Sequence, residues 1–155
     1  MIEIGISYVE YLNKLKKEEL IKIITDYNKM CEIFDETKIE DTKSKKDVLV
    51  EKINEIKNKY LKYLIMSLDL KDYESLKNIL KKNDTKTLNE HKELINYFID
   101  KHIIFQKDNL EVPNDLEFKF CFKNKDILKY VKKWNRIYDL ANGIIIAYGV
   151  VSKKY

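Results

Sequence analysis

Glycine, proline and cysteine are scarce in this sequence of 155 residues. Three glycines and one proline leave little material for the many turns of a β-sandwich or barrel, so the composition favours helices. The same scarcity argues against long disordered tracts. The two cysteines, Cys31 and Cys121, form no closely spaced set of the kind that builds a disulfide framework. These absences predict a compact helical protein in a reducing compartment.

A targeting or membrane segment is also missing. Residues 1–4 have neither the basic start nor the apolar stretch of a signal peptide. Residues 140–151 are the most apolar stretch, but about 12 residues are too few for a bilayer span that needs about 20. We expect a soluble, cytoplasmic protein with no membrane partner.

Arginine is nearly absent, since Arg136 is the only one, although the formal net charge is +4. Arginine suits bidentate recognition of phosphate or guanine, whereas lysine acts as a solvated point charge. The lysine excess is compatible with loose contact with phosphates, but a surface that keeps the protein in solution explains it better.

No motif for catalysis, metal binding or cofactor binding is visible. There is no G-x-S-x-G element and no glycine-rich phosphate loop. The acidic residues at 35–41 lack the regular oxygen spacing of an EF-hand. The candidate zinc ligands follow none of the usual spacings; they are Cys31, His91, His102 and Cys121. We expect no enzyme, no metal site and no cofactor.

What the sequence has in quantity is helical periodicity. Apolar residues recur at the i, i+3, i+4 spacing of amphipathic helices in four places, namely Leu20, Ile23, Ile24 and Tyr27, then residues 49–64, 73–80 and 94–99. Capping boxes at Ser44 with Asp47 and at Thr87 with Glu90 predict where two of these helices begin. Asn124 is a suitable N-cap for a further helix.

The period changes from helical to alternating near residue 103. Residues 103–106 and 110–113 are typical of two strands joined by a tight turn at 107–109, with Pro113 ending the second strand. The alternation of Phe118, Phe120 and Phe122 with polar residues also allows a third short strand.

The last helix carries an apolar seam with alternating spacings of four and three residues: Ile127, Val131, Trp134, Tyr138, Ala141, Ile145 and Tyr148. Such a seam is typical of a core-facing stripe in a helical bundle or of a coiled coil. Trp134 lies in its middle, so we predict that the indole is largely buried.

These patterns together predict a mostly α fold, a compact helical bundle with one small β-hairpin. The chain divides into residues 1–66, residues 67–122 with the hairpin, and residues 123–155, a C-terminal helix that packs on the rest. The alternative is that all three form a single domain.

Residues 15–24 (LKKEELIKII) and 43–53 (KSKKDVLVEKI) predict two short helices around a basic turn. The element K-x-x-L-V-x-K-I in the second segment resembles the SAP and Rho N-terminal families, although the connection between the helices is longer here. The resemblance implies nucleic-acid binding, with matching positions at Lys43, Lys45, Lys46 and Lys52. A helix N-terminus surrounded by lysines is suited to phosphate binding.

All four of these lysines are expected to be exposed, because none lies on the apolar stripe formed by Leu49, Ile53 and Ile56. On this interpretation, they would contact phosphates without disturbing the core.

Residues 73–112, with the order helix, helix, hairpin, resemble a winged-helix unit. The resemblance implies a wing tip at residues 107–109 and a recognition helix at 90–101 that displays Lys92, Asn96 and Lys101. Glu93 and Asp100 on the same helix would repel phosphate. Winged helices also serve as protein-interaction modules.

Two functions therefore remain open. One is a non-enzymatic nucleic-acid-binding accessory protein that contacts DNA or RNA through Lys43, Lys45, Lys46 and Lys52. The other is a protein-binding module, such as a small inhibitor or adaptor from a phage or mobile element, for example an anti-CRISPR-type inhibitor. It would act through exposed aromatics, because tyrosine, present 11 times, is favoured at interfaces.

Overall fold

A computed structural model describes the backbone of residues 1–144 and the side chains of residues 1–134. Over this part of the chain there are eight helices and three short strands, which confirms the predicted mostly helical fold with a small β element. The strands are β1 (Ile2–Ile4), β2 (Phe105–Gln106) and β3 (Leu110–Val112). The helices are α1 (Tyr8–Asn13), α2 (Lys17–Phe34), α3 (Lys46–Met66), α4 (Leu70–Lys82), α5 (Thr85–Glu90), α6 (Lys92–Asp100), α7 (Phe118–Lys123) and α8 (Lys125–Ile144).

Helix α3 lies at the centre of the fold and contacts α1, α2, α7 and α8. Its predicted apolar stripe is confirmed, since Leu49, Ile53, Tyr60 and Leu64 are fully buried. The predicted stripe of α2 is buried opposite it, from Leu20 to Tyr27. The buried apolar side chains form one cluster that reaches from β1 to α8, so the helices share a common core.

The three strands form one sheet in the order β1-β3-β2. β2 and β3 pair antiparallel, as the sequence predicts, with Gln106 opposite Leu110. β1 pairs parallel to β3, with Ile2 opposite Leu110, and this strand was not predicted. Three residues are too short a run for an alternating pattern to stand out, so the expectation that β-structure is confined to the hairpin is wrong.

Strand β2 begins later than predicted because the chain first closes helix α6. His102 has a left-handed backbone with a φ of 59°. The N–H groups of Ile103 and Ile104 then donate to the carbonyl oxygen of Phe98 at 3.0 and 3.2 Å. Both bonds satisfy one carbonyl group in the last turn of the helix, and both isoleucines become part of the core instead of the sheet.

The suggested third strand at residues 118–122 is wrong, because this segment is helix α7. Phe118 and Cys121, one helical turn apart, are buried, whereas Phe120 is 61% exposed. Burial therefore follows the helical period and not the alternation of the phenylalanines. Asn124 then accepts a hydrogen bond from the N–H of Asp126 at 2.9 Å, as predicted for the start of α8.

The two predicted capping boxes, which begin at Ser44 and Thr87, are wrong. The hydroxyl of Ser44 donates to the carboxylate of Asp41, and α3 begins after Lys45 without a side-chain cap. The carboxylate of Asp84 caps α5 by accepting from the N–H of Thr87 at 2.7 Å. In both segments an upstream aspartate provides the acceptor that decides the local hydrogen bonds.

The prediction that Trp134 is largely buried is wrong, because its side chain is 43% exposed. Ile127 and Val131 on the same seam are buried, so the helical face was predicted correctly. No described element covers the seam at the level of Trp134, whose only aromatic neighbour in the described side chains is Tyr130, with ring centroids 6.1 Å apart. The seam members from Tyr138 to Tyr148 lie outside the described side chains.

Asn83 ties the end of α4 to β1. Its backbone is left-handed, with a φ of 48°, and its N–H donates to the carbonyl oxygen of Ile79 at 2.8 Å. Its side-chain oxygen accepts from the N–H of Ile2 at 2.7 Å, and its side-chain nitrogen donates to the carbonyl oxygen of Ile2 at 2.8 Å. One amide therefore satisfies both backbone groups of an edge-strand residue.

Substitutions of Asn83 should separate these two roles. We expect Asn83→Gly to lower the free energy of unfolding by about 1–3 kcal/mol, because two hydrogen bonds are lost while glycine keeps the left-handed backbone. Asn83→Ala should lower it by about 1 kcal/mol more, because alanine tolerates that backbone poorly. Denaturant titrations measure both values. Wild-type stability of the glycine variant would contradict the amide bridge.

Two buried tyrosines on α3 differ in how their hydroxyls are satisfied. Tyr60 is fully buried, and its hydroxyl has no hydrogen-bond partner among the described residues. The hydroxyl of Tyr63 donates to Glu36 at 2.7 Å. Since burying an unpaired hydroxyl costs about 1–3 kcal/mol, removal of the two hydroxyls should change the stability of the protein in opposite directions.

We expect Tyr60→Phe to raise the free energy of unfolding by about 1 kcal/mol, because it removes a buried hydroxyl without breaking a bond. The matched variant Tyr63→Phe should lower it by a similar amount, because the bond to Glu36 is lost. Thermal denaturation of the two single variants provides the comparison. A loss of stability in Tyr60→Phe would show that its hydroxyl does have a partner.

Candidate interaction surfaces

The four predicted lysines lie together at the start of α3. Lys43 and Lys45 are exposed, as expected, and the N–H of Lys43 donates to Asp41 at 3.0 Å. Lys46 and Lys52 are only half-exposed, so the expectation that all four are free is wrong. The loop before α3 folds back on the helix and contacts the amino group of Lys52, and the end of α1 contacts that of Lys46.

Lys46 and Lys52 have partners within the protein. Lys46 Nζ donates to the carbonyl oxygen of Asn13 at 2.7 Å, at the end of α1. Lys52 Nζ lies 3.3 Å from the carboxylate of Asp41. Asp41 therefore balances the positive charge of Lys52, whereas the charge of Lys46 has no counter-charge in this contact, because a carbonyl group carries no net charge.

Asp41 organises the loop in front of α3. Its carboxylate accepts from the hydroxyl of Ser44, from the N–H groups of Lys43 and Ser44, and from Lys52. The pKa of Asp41 is lowered to about 2, mainly by the hydrogen bond from the hydroxyl of Ser44. The N–H of Lys43 and the amino group of Lys52 lower it further. A charged carboxylate thus fixes the path of the chain into the helix.

Lys14 and Lys107 meet beside the C-terminal end of α1, although they are far apart in the sequence. Lys14 directly follows α1, and Lys107 begins the hairpin turn, with its Nζ 5.2 Å from the centroid of the Tyr11 ring. The pKa of Lys14 is lowered, chiefly by the like-charged amino group of Lys107. This repulsion outweighs the attraction of two nearby carboxylates, those of Glu10 and Glu111.

Both of these carboxylates have other partners. Glu10 accepts from the hydroxyl of Ser7 at 2.9 Å, and Glu111 accepts from the hydroxyl of Tyr11. Both donors are neutral hydroxyls, so these hydrogen bonds do not cancel the carboxylate charges, which offset part of the positive potential at Lys14.

We name Lys14, Lys45, Lys46 and Lys107 the basic cluster. Lys46 Nζ binds the carbonyl oxygen of Asn13, the residue before Lys14, and Lys45 precedes Lys46 at the N-cap of α3. The hairpin turn adds Lys107. The cluster therefore joins two of the four predicted lysines to the predicted wing tip. Lys14 was missed, because nothing in its sequence neighbourhood indicates that a hairpin from the other half of the chain lies beside it.

Lys101, predicted for display on a recognition helix, is not available for phosphate contact. Its Nζ lies 3.5 Å from the buried carboxylate of Asp26 and 5.4 Å from the centroid of the Tyr97 ring. Lys92 and Asn96 do face solvent, where they line a depression of about 250 Å³ between α6 and the hairpin.

A second surface, rich in aromatic residues, lies near the other end of α3. Phe34 stacks on Tyr63 with ring centroids 4.6 Å apart, and it contacts Tyr130 at 5.5 Å. Tyr130 in turn contacts the half-exposed Trp134. Tyr63 also lines a depression of about 310 Å³ together with the exposed Phe120.

We name this row and the depression the aromatic groove; it comprises Phe34, Tyr63, Phe120, Ile127, Tyr130 and Trp134. Polar residues at its rim are Glu36, Asn58, Lys59, Lys62 and Glu117. The sequence analysis missed the groove, because it predicted a buried Trp134 and a strand at Phe120. A helical interpretation of residues 118–123 would have placed Phe120 outside the buried stripe.

Other kinds of site find little support in the described residues. Cys31 and Cys121 are buried free thiols, and His102 contacts Glu19 at 3.4 Å. Across the described positions, no three His, Cys, Asp or Glu side chains are grouped as metal ligands would be. None of the helices described is both long enough and apolar enough to cross a membrane.

Comparisons with family models, curated proteins and solved structures found no match to this chain. The function must therefore be argued from the two surfaces themselves.

The low pKa of Asp41 predicts how the loop responds to pH. Its folded-state pKa of about 2 lies below the ordinary value of 3.8, so its contribution to stability is complete above that value. The contribution is lost as the pH falls from about 4 to about 2. We expect Asp41→Asn to have a lower melting temperature than wild type at pH 7 and the same melting temperature as wild type near pH 2.

The exposed neighbour provides the control for this experiment. Glu40→Gln removes a charge one position away, and Glu40 forms no ion pair with any described residue. Its melting temperature should follow wild type at neutral pH. An equal effect of the two substitutions would mean that general charge, and not the hydrogen bonds of Asp41, stabilises the loop.

Proposed function

We propose that this protein is a non-enzymatic nucleic-acid-binding protein that contacts phosphate groups through the basic cluster. The observation that carries the proposal is that lysines from three separate segments converge at the end of α1: Lys46 Nζ binds the carbonyl oxygen of Asn13, and Lys107 Nζ lies 5.2 Å from the centroid of the Tyr11 ring, beside Lys14. A phosphate between Lys14 and Lys107 would attract both, and its binding would release the counterions that shield it.

The N-terminus of α3 supports the same site. Lys45 is the N-cap residue and its side chain does not cap the helix, so the N–H groups of the first two helical residues add to the positive potential of the lysines. Asp47 in the first turn offsets part of this potential, since its carboxylate accepts from the N–H of Val48 at 3.0 Å. The helix has 21 residues, so its dipole is fully developed at this end. Phosphate contacts here would come from α1, α3 and the hairpin together.

The chemistry of the cluster favours binding with little sequence preference. Its charged groups are all lysines, which act as point charges, whereas reading of guanine in the major groove relies mostly on bidentate side chains such as arginine. Contacts of this type position a protein on the phosphate backbone but do not identify bases. DNA and RNA are both possible ligands.

The test is a fluorescence-anisotropy titration of the full chain with a labelled short duplex and a labelled single strand over a range of salt concentrations. With four lysines engaged, the logarithm of the binding constant should fall by about 3–4 per decade of salt on the duplex. Lys14→Gln/Lys107→Gln should weaken binding at low salt and reduce this slope by about 2. Its thermal stability should not fall, because a repulsive contact is removed.

Lys71→Gln/Lys77→Gln is the matched control, because it removes two exposed lysines from α4, which lies outside the cluster. It should keep the wild-type slope and lose little affinity. If the two double variants lost affinity equally, the loss would be due to the change in overall charge and not to the basic cluster. No binding of either probe by wild type at low salt and roughly tens of micromolar protein would refute the proposal, since nonspecific binding has a Kd of about 1–100 µM at physiological salt and tightens as the salt falls.

A further inference from the structure

The aromatic groove is separate from the basic cluster and supports an inference that does not depend on nucleic-acid binding. We propose that the groove docks an acidic segment of a partner protein, one that presents a large apolar side chain flanked by aspartate or glutamate. The argument rests on exposed aromatic area, on the shape of the groove and on its charge.

Two large aromatic side chains at the groove remain in contact with water. Phe120 is 61% exposed and Trp134 is 43% exposed, whereas most large apolar residues of the described chain are buried. They flank Tyr63 and Tyr130, so the exposed area is continuous with buried aromatic packing. Aromatic residues anchored in this way are the usual energetic centres of protein interfaces.

The arrangement of the rings favours an apolar side chain over a nucleic-acid base. One face of Tyr63 is covered by Phe34, and Tyr63 is only 7% exposed. Base stacking needs a row of open ring faces. The depression of about 310 Å³ is concave instead and has apolar walls, which include Phe120 and Ile127, so a protruding side chain fits it better.

The charge on α7 and α8, the two helices that carry Phe120 and Trp134, indicates which residues of the partner flank its apolar anchor. Between Phe118 and Trp134 there are six lysines but only one acidic residue, Asp126. All six lysines are exposed, and none forms an ion pair with a described side chain. They are Lys119, Lys123, Lys125, Lys129, Lys132 and Lys133. A partner with carboxylates beside its apolar anchor would meet complementary potential here.

The carboxylates at the rim change this balance only slightly. Glu36 accepts from the hydroxyl of Tyr63 and lies 3.6 Å from Lys59, so its charge is already paired. Hydrogen bonding from Tyr63 is the main reason that the pKa of Glu36 is lowered. Lys62 and Glu117, also at the rim, carry opposite charges, so the rim itself is close to neutral and the positive potential comes from the six lysines of α7 and α8.

Trp134 makes the groove measurable, because it is the only tryptophan of the chain. Peptides without tryptophan are selected from a random display library on the full-length protein, and a selected peptide is synthesised and titrated while Trp134 emission is recorded. We expect the selected sequences to combine acidic residues with a large aliphatic or aromatic residue. Binding should shift Trp134 emission to shorter wavelength as the indole leaves water.

Substitutions then locate the site. Phe120→Ala should lower the affinity for the peptide by at least about tenfold, as expected for an interface anchor. Ile4→Ala is the matched control, because Ile4 is 77% exposed but lies on β1, away from the groove. It should leave the affinity unchanged. Lys14→Gln/Lys107→Gln should also bind the peptide as wild type does, so failure of the proposed function and failure of this inference are distinguishable.

Several results would overturn the inference. The library could enrich no peptide, or only peptides without acidic residues. Phe120→Ala could bind the peptide as tightly as Ile4→Ala does. A labelled single-stranded oligonucleotide could displace the peptide and shift Trp134 emission in a manner that depends on Phe120, which would make the groove a nucleic-acid surface instead.

Discussion

The burial of α3 against four other helices is the constraint on which both candidate surfaces depend. Lys46, at its first turn, belongs to the basic cluster, and Tyr63, near its end, belongs to the aromatic groove. With a rise of 1.5 Å per residue, these positions are about 25 Å apart along the helix axis. Because the helix is packed along its length, it fixes this separation, and ligands at the two ends need not compete for space.

The interior beside α3 contains more polar groups than the sequence suggests. Asp26 on α2 is 7% exposed and pairs with Lys101 at the end of α6. Burial, together with the nearby Asp26, raises the pKa of Tyr60 far above its usual value. A buried pair of this kind adds little stability over apolar packing, but removal of one partner is costly. The pair therefore restricts which side chains can face each other where α2 meets α6.

Sequence patterns predicted what depends on local periodicity. The helical stripes and the hairpin followed from spacing, because a buried helical face repeats every three to four residues whatever its partner is. The meeting of Lys14 with Lys107 could not be predicted, since it depends on a tertiary contact between distant segments. Trp134 shows the same limit: its helical face was correct, but its exposure depends on whether another element covers that face. β1 was missed because three residues carry too little pattern.

The amide of Asn83 has a consequence beyond the attachment of α4 to the sheet. β1 is an edge strand, and the unpaired backbone of such a strand is a template on which a second chain can add its own strand. In this protein the side chain of Asn83 already occupies the N–H and C=O of Ile2, much as a neighbouring strand would. The exposed Ile4 next to it would otherwise make this edge attractive to another molecule. A single side chain thus blocks the addition of a strand at Ile2 on this edge of the sheet.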